Sequence, residues 1–154
     1  MLLFTPFRMM STVLLVDDDY QNRWALQLAL ESRGHHVVLA ENGRDALPKA
    51  VAHFPELVVT DLHMPEMDGR ELCRRLKCMP SFADVPVILL SAMPEPVDEI
   101  CYWTAFLRKP ASMEVLLDTV DTFIAARLTY ARAPRVSEHH AGGRRQAIDS
   151  RCWP

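Results

Sequence analysis

The sequence lacks a metal- or redox-type cysteine spacing, a long uninterrupted apolar run and a strong charge of either sign. Each absence excludes something. Cys73, Cys78, Cys101 and Cys152 stand at intervals that match no zinc or dithiol pattern. With no export signal, they read as free thiols in a reducing cytosol. The opening MLLFTPFRMMSTVLLV is apolar but is broken by Pro6 and Arg8, and it carries no small-residue cleavage site. That excludes a signal peptide and a membrane span, and the expected location is cytoplasmic. The formal net charge of −3 selects no partner by itself.

What is present is an ordinary globular composition, 49% hydrophobic and 24% charged over 154 residues, enough for one domain with a full core. Charge is unevenly spread. Residues 1–126 hold 11 Lys and Arg against 18 Asp and Glu, whereas residues 127–154 hold 6 Arg against 2 acids. Three segments follow: a lead over 1–10, a domain over 11–128, and an Arg-rich tail over 129–154. The tail has Gly-Gly, prolines and little apolar periodicity, so it is expected to carry no fold. Its modest charge and missing scaffold argue against specific nucleic-acid binding.

Within the domain, short apolar runs alternate with helical patterns. TVLLV (12–16), HVVLAE (36–41), ELVVT (56–60), VPVILLS (85–91) and TAFLR (104–108) predict strands. Helices are expected over 20–33, with Gly34 as its stop, and over 112–128, with Ser112 as N-cap and Leu116, Val120, Phe123 and Ile124 inward. Ala46, Leu47, Ala50, Val51 and Phe54 keep helical spacing after Asn42-Gly43, with Pro48 expected to leave the helix start short or irregular. Leu72, Leu76 and Met79 line a further helix whose outer face holds Arg70, Arg74, Arg75 and Lys77. Such alternation means a parallel α/β sheet covered on both faces, and ligands bind such sheets at the carboxyl ends of the strands.

That rule explains LVVTDLHMPEMDG (57–69), in which a buried-type strand runs straight into an aspartate. Strand 1 ends in Asp17-Asp18-Asp19, strand 3 in Asp61, strand 4 in Ser91, and strand 5 leads to Lys109-Pro110. Carboxylates gathered in one crevice repel unless a cation joins them. Hard oxygens suit Mg2+, and a hydroxyl and an ammonium on the far rim suit a phosphoryl group. The constellation describes a carboxylate nucleophile that accepts a phosphoryl group. Asp19 is read instead as the cap of the first helix, Asp68-Gly69 as the turn into the third, and His35-His36 as an ordinary pair whose side chains point to opposite faces.

The acidic cluster, D-x-x-M-P-x-x-D-G from Asp61 to Gly69, Ser91 and Lys109-Pro110, in this order, resemble a response-regulator receiver domain of two-component signalling over roughly 11–128. The resemblance implies a flavodoxin-like (βα)5 sheet of order 2-1-3-4-5. It implies phosphotransfer to Asp61 from a histidine kinase or phosphotransfer protein, with at most slow self-catalysed turnover rather than an enzyme's. It implies Mg2+ held by Asp17, Asp18, Asp61 and the backbone carbonyl of His63. Ser91 and Lys109 would bind phosphoryl oxygens, Phe106 would be the switch aromatic, and the Lys-Pro bond would be cis.

Two departures stand out. Only 17 residues separate Ser91 from Lys109, including Pro94 and Pro96, which predicts a shortened fourth helix with Tyr102 and Trp103 exposed as a different docking surface. The absence of an output domain after residue 128 points to a stand-alone receiver acting on an unknown protein target. Two alternatives compete: a receiver fold used only for docking, and a phosphatase with Asp17 as nucleophile. The second rests on an Asp-x-Asp that resembles haloacid-dehalogenase-type phosphohydrolases, but Gln21 stands where that family has Thr or Val.

Overall fold

The three central strands, runs of Val, Leu and Ile, form because both of their faces are buried, where β-branched and bulky aliphatic side chains pack best, and the two edge strands are only partly covered. A computed structural model describes residues 10–97 and 100–132. The strands are β1 (Thr12–Val16), β2 (His36–Ala40), β3 (Leu57–Asp61), β4 (Val87–Ser91) and β5 (Ala105–Arg108). All pair in parallel, in the order β2-β1-β3-β4-β5. The helices are α1 (Tyr20–Ser32), α2 (Gly43–His53), α3 (Gly69–Cys78) and α4 (Met113–Arg132). This is the flavodoxin-like sheet that the sequence predicts. The lead up to residue 9 and the tail from 133 lie outside the described residues.

Alternate residues of each strand feed opposite cores. Leu14, Val16, Val58 and Leu89 pack with Ala46 and Ala50 of α2 and Leu72, Cys73 and Leu76 of α3. Val13, Leu15, Val59 and Ile88 pack with Leu30 of α1 and Leu116, Val120 and Ile124 of α4. Each fully buried Leu or Val contributes about 1.5–3 kcal/mol relative to exposure, which is what orders the sheet. Side-chain caps start three helices. Asp19 accepts from the N–H groups of Gln21 and Asn22, Asn42 from that of Asp45, and Asp68 from that of Glu71.

Several expectations need correction. No helix stands between β4 and β5 among the described residues, so the shortened fourth helix is absent; Pro94 and Pro96 disfavour one. Trp103 is not exposed. It is 7% accessible within the core against α3, and its indole N–H donates to Glu95 Oε1 at 2.7 Å. Tyr102 is half-buried beside it.

Pro48 leaves the start of α2 intact and sits inside the helix. Its face is exposed, as is Arg44, so the carbonyl that loses an N–H partner can be met by water. Val51 and Phe54 are exposed rather than inward. Phe54 ends α2 in the left-handed region at φ 46° and stacks on Phe82 with ring centroids 6.0 Å apart. Lys77 is half-buried, donating to the carbonyls of Ala83 and Val85, and burial pulls its pKa down. Cys73 and Cys101 are free thiols.

Candidate functional site

The parallel register sets the site. Val16 stands opposite Thr60, Asp61 opposite Leu90 and Ser91 opposite Arg108, so the residues that end these strands share one edge of the sheet. Asp17 follows β1 and is 1% accessible. Its Oδ1 accepts from the Asp19 N–H at 2.8 Å, whereas its buried Oδ2 has no hydrogen-bond partner. Burial pushes the Asp17 pKa up; the Asp19 N–H and the Lys109 ammonium oppose this, and the charges of Asp61 and Asp18 add to it.

Asp61 ends β3. Its Oδ1 accepts from the Leu62 N–H at 3.0 Å and lies 3.3 Å from Lys109 Nζ. The same Nζ is 3.8 Å from Asp17 Oδ2, outside hydrogen-bonding distance. Carboxylate oxygens of Asp17, Asp18 and Asp61 all lie within 4.8 Å of one another, so the three could hold a metal ion. A buried carboxylate oxygen without a partner beside two further carboxylates fits a hard divalent cation, consistent with a receiver-type Mg2+ site.

Ser91 ends β4 fully buried, with its Oγ accepting from the Met93 N–H at 3.0 Å. Its carbonyl accepts from the Lys109 N–H at 2.7 Å, which couples β4 to the lysine. The Lys109–Pro110 peptide is cis. His63 is exposed, two residues beyond Asp61. Phe106 stands opposite Leu89 on β5 and packs half-buried against the α2–α3 core. The structure therefore brings Asp17, Asp18, Asp61 and Lys109 together directly, sets Ser91 on the neighbouring strand end, and leaves Phe106 in the packing behind.

The loop after Asp61 is tightly held. The Leu62 N–H donates to the Leu90 carbonyl and the Gly69 N–H to the Leu62 carbonyl, each at 2.8 Å. Glu66 sits at φ 66°, and the Gly43 N–H reaches the Met67 carbonyl at 3.1 Å. Asp19, needed as a second acid by the phosphatase reading, is committed to capping α1.

Sequence reasoning missed Arg23. It is 9% accessible, and its Nη1 donates to the Asp17 carbonyl at 2.6 Å, fixing the backbone that carries the buried carboxylate. The available signal was its place seven residues before buried Leu30, on the inner face of α1. His35 is buried and pairs with Asp121 at 2.8 Å, a structural contact rather than a metal ligand. No helix among the described residues is long and apolar enough to cross a membrane.

Comparison with known proteins places this geometry. The family profile described as response regulator receiver domain matches residues 13–121. Response regulator MprA of Mycolicibacterium vanbaalenii is 36% identical over 109 residues, 68% of this chain and 46% of that protein, so the match spans less than half of that relative. Protein PilH of Pseudomonas aeruginosa is 31% identical over 122 residues, 75% of this chain and 99% of PilH. Among solved structures, the chemotaxis response regulator CheY4 of Vibrio cholerae matches with TM-score 0.68 and 28% identity, over 75% of this chain and 99% of that one. The receiver domain of a signal transduction histidine kinase from Syntrophus aciditrophicus matches with TM-score 0.71 and 30% identity, over 86% and 99%.

Proposed function

The chain belongs to the response regulator receiver family, and from that premise we propose that it is a phosphorylation-dependent signalling module with Asp61 as the acceptor. The observation that carries this reading is the Lys109 ammonium 3.3 Å from Asp61 Oδ1, beside the unpartnered Oδ2 of buried Asp17. Receiver domains are typically phosphoacceptors rather than enzymes, and the donor here is a phosphohistidine of a histidine kinase or phosphotransfer protein. An Asp61 carboxylate oxygen bonds to phosphorus while the P–N bond breaks, its electron pair staying on that ring nitrogen; the donor's other ring nitrogen carries a proton, so neutral imidazole leaves. Mg2+ held by Asp17, Asp18, Asp61 and the His63 carbonyl would supply charge neutralisation at the phosphoryl oxygens.

The chain's own residues do the rest. Lys109 exchanges its contact with the carboxylate for one with a phosphoryl oxygen. Ser91 turns its hydroxyl hydrogen to another, while its Oγ can keep the Met93 N–H as donor. Phe106 then follows Ser91 inward, and the altered β4–β5 surface meets a protein target. The receiver is assigned to residues 11–128, a reading supported by the match to PilH over 99% of that protein, and it acts in the cytoplasm.

Intact mass after incubation with Mg2+ and acetyl phosphate tests the acceptor. One added phosphoryl group is expected, absent in Asp61→Asn and without Mg2+. An adduct that survives Asp61→Asn rejects the assignment.

A further inference from the structure

The acidic cluster opens sideways. Between α1 and the start of α4 lies a groove of about 420 Å3, with Asp17 and Lys109 among its lining residues. Elsewhere it is walled mainly by aliphatic carbon, from Ala25 and Leu26 of α1, Ala111, Met113, and Leu116 of α4. Leu116 is buried, whereas Ala25 is exposed at the outer edge. Two small residues, Ala25 and Ala111, face this space, and a larger side chain at either would fill part of it. Asp17 lines the same mouth, and Lys109 already faces Asp61. It is with Mg2+ offsetting the three carboxylates that the Lys109 ammonium would make this apolar groove complementary to a small molecule with an anionic head and a short aliphatic body.

We propose that this groove seats the acyl chain of a small acyl phosphate, so that the protein is phosphorylated directly by donors with a short alkyl chain in preference to acetyl phosphate. The inference rests on Asp61 being the acceptor. Lys109 holds the phosphoryl end while the alkyl chain lies along Ala25 and Ala111. An Asp61 carboxylate oxygen bonds to phosphorus, the bond from phosphorus to the acyl oxygen breaks with its electron pair, and the donor leaves as a carboxylate. No proton moves. Acetyl and butyryl phosphate release carboxylates of nearly equal basicity, so a difference in rate between them reports the groove. Each methylene group fully withdrawn from water is worth about fourfold, and butyryl adds two; with the outer end of the groove open to water, about tenfold of the full roughly sixteenfold is expected.

The test follows phosphorylation of the full chain by intact mass, with Mg2+ and one of three donors: butyryl phosphate, acetyl phosphate or phosphoramidate, which has no acyl group. Second-order rate constants about tenfold higher for butyryl than for acetyl phosphate are expected. Ala111→Phe should bring that ratio towards one. Ala25→Leu should do the same, and it places a strong helix former at an exposed position. Equal rates for the two acyl phosphates, or a butyryl preference that survives both groove-filling variants, overturns the inference and leaves the acceptor reading standing. No adduct from any donor, phosphoramidate included, overturns the acceptor reading and this inference with it.

Discussion

Gly69→Ala is a change of one methyl group that strikes the site from beneath. A Cβ on Gly69 would lie 2.3 Å from the Asp61 carbonyl oxygen, 2.8 Å from Leu89 Cδ1 and 3.1 Å from the Asp61 carbonyl carbon. Leu89 can turn away, but the carbonyl is held. It accepts from the Thr60 hydroxyl at 2.9 Å and belongs to a strand paired to β4. Restoring ordinary contact needs about 1 Å of movement. Overpacking of this kind costs about 1–3 kcal/mol, and the helix preference of alanine offsets up to about 1 kcal/mol. The expected net loss is therefore about 1–2 kcal/mol, read in urea as a midpoint lower by roughly 0.5–1 M. Because the displaced backbone carries the Asp61 carboxylate, phosphorylation by acetyl phosphate should also slow by about a hundredfold. Gly43→Ala is a useful comparison, since its Cβ meets the Met67 side chain at 2.7 Å and the Met67 carbonyl oxygen at 2.9 Å, a milder backbone clash than the 2.3 Å at Gly69, and should cost less. An unchanged midpoint with a wild-type rate in Gly69→Ala would refute the reasoning.

Burial raises the Asp17 pKa above the ordinary 3.8, so its ionised form costs stability at neutral pH, and that cost disappears as pH falls towards 3.8. Asp17→Asn should therefore melt higher at pH 7, by about 1–2 kcal/mol, with the gap closing near pH 4. It should also lose the gain of about 1.4 kcal/mol that Mg2+ at tenfold its Kd gives the wild type, measured by thermal melts with and without the ion. Hydrogen bonds from Arg74 and then Arg75 lower the Glu71 pKa from 4.5 to about 2. That stability is present above pH 4.5 and lost as pH falls towards 2. Because Glu71 is partly exposed, Glu71→Gln should cost only about 0.5–1 kcal/mol at pH 7, with no difference near pH 2, by urea titration across pH. Trp103→Ala should cost about 3–5 kcal/mol in urea melts and Trp103→Phe far less, because the phenyl ring keeps most of the burial.

Legibility in the sequence followed period and position. β1 is found at its expected residues because an unbroken Val/Leu run bounded by acids allows little else. The acidic cluster was legible because parallel sheets expose their strand ends, and Asp19 and Asp68 because capping is local. Periodicity was silent where tertiary packing decides. It could not show that Trp103 would occupy a core that a helix was expected to cover, or that Val51 and Phe54 would face solvent. Arg23 escaped because its partner is a backbone carbonyl, which no side-chain pattern announces.

The strand order has a consequence for how the chain is made. β1 and β2 can pair first, β3 adds to the free side of β1, and β4 and β5 then add outward in turn. After β1 and β2, each strand joins an open edge as it leaves the ribosome, and none must be inserted between two already in place. The carboxylates of β1 and β3 can meet before Ser91 and Lys109 have been synthesised. Translation therefore builds the acidic half of the site first and delivers its only lysine last.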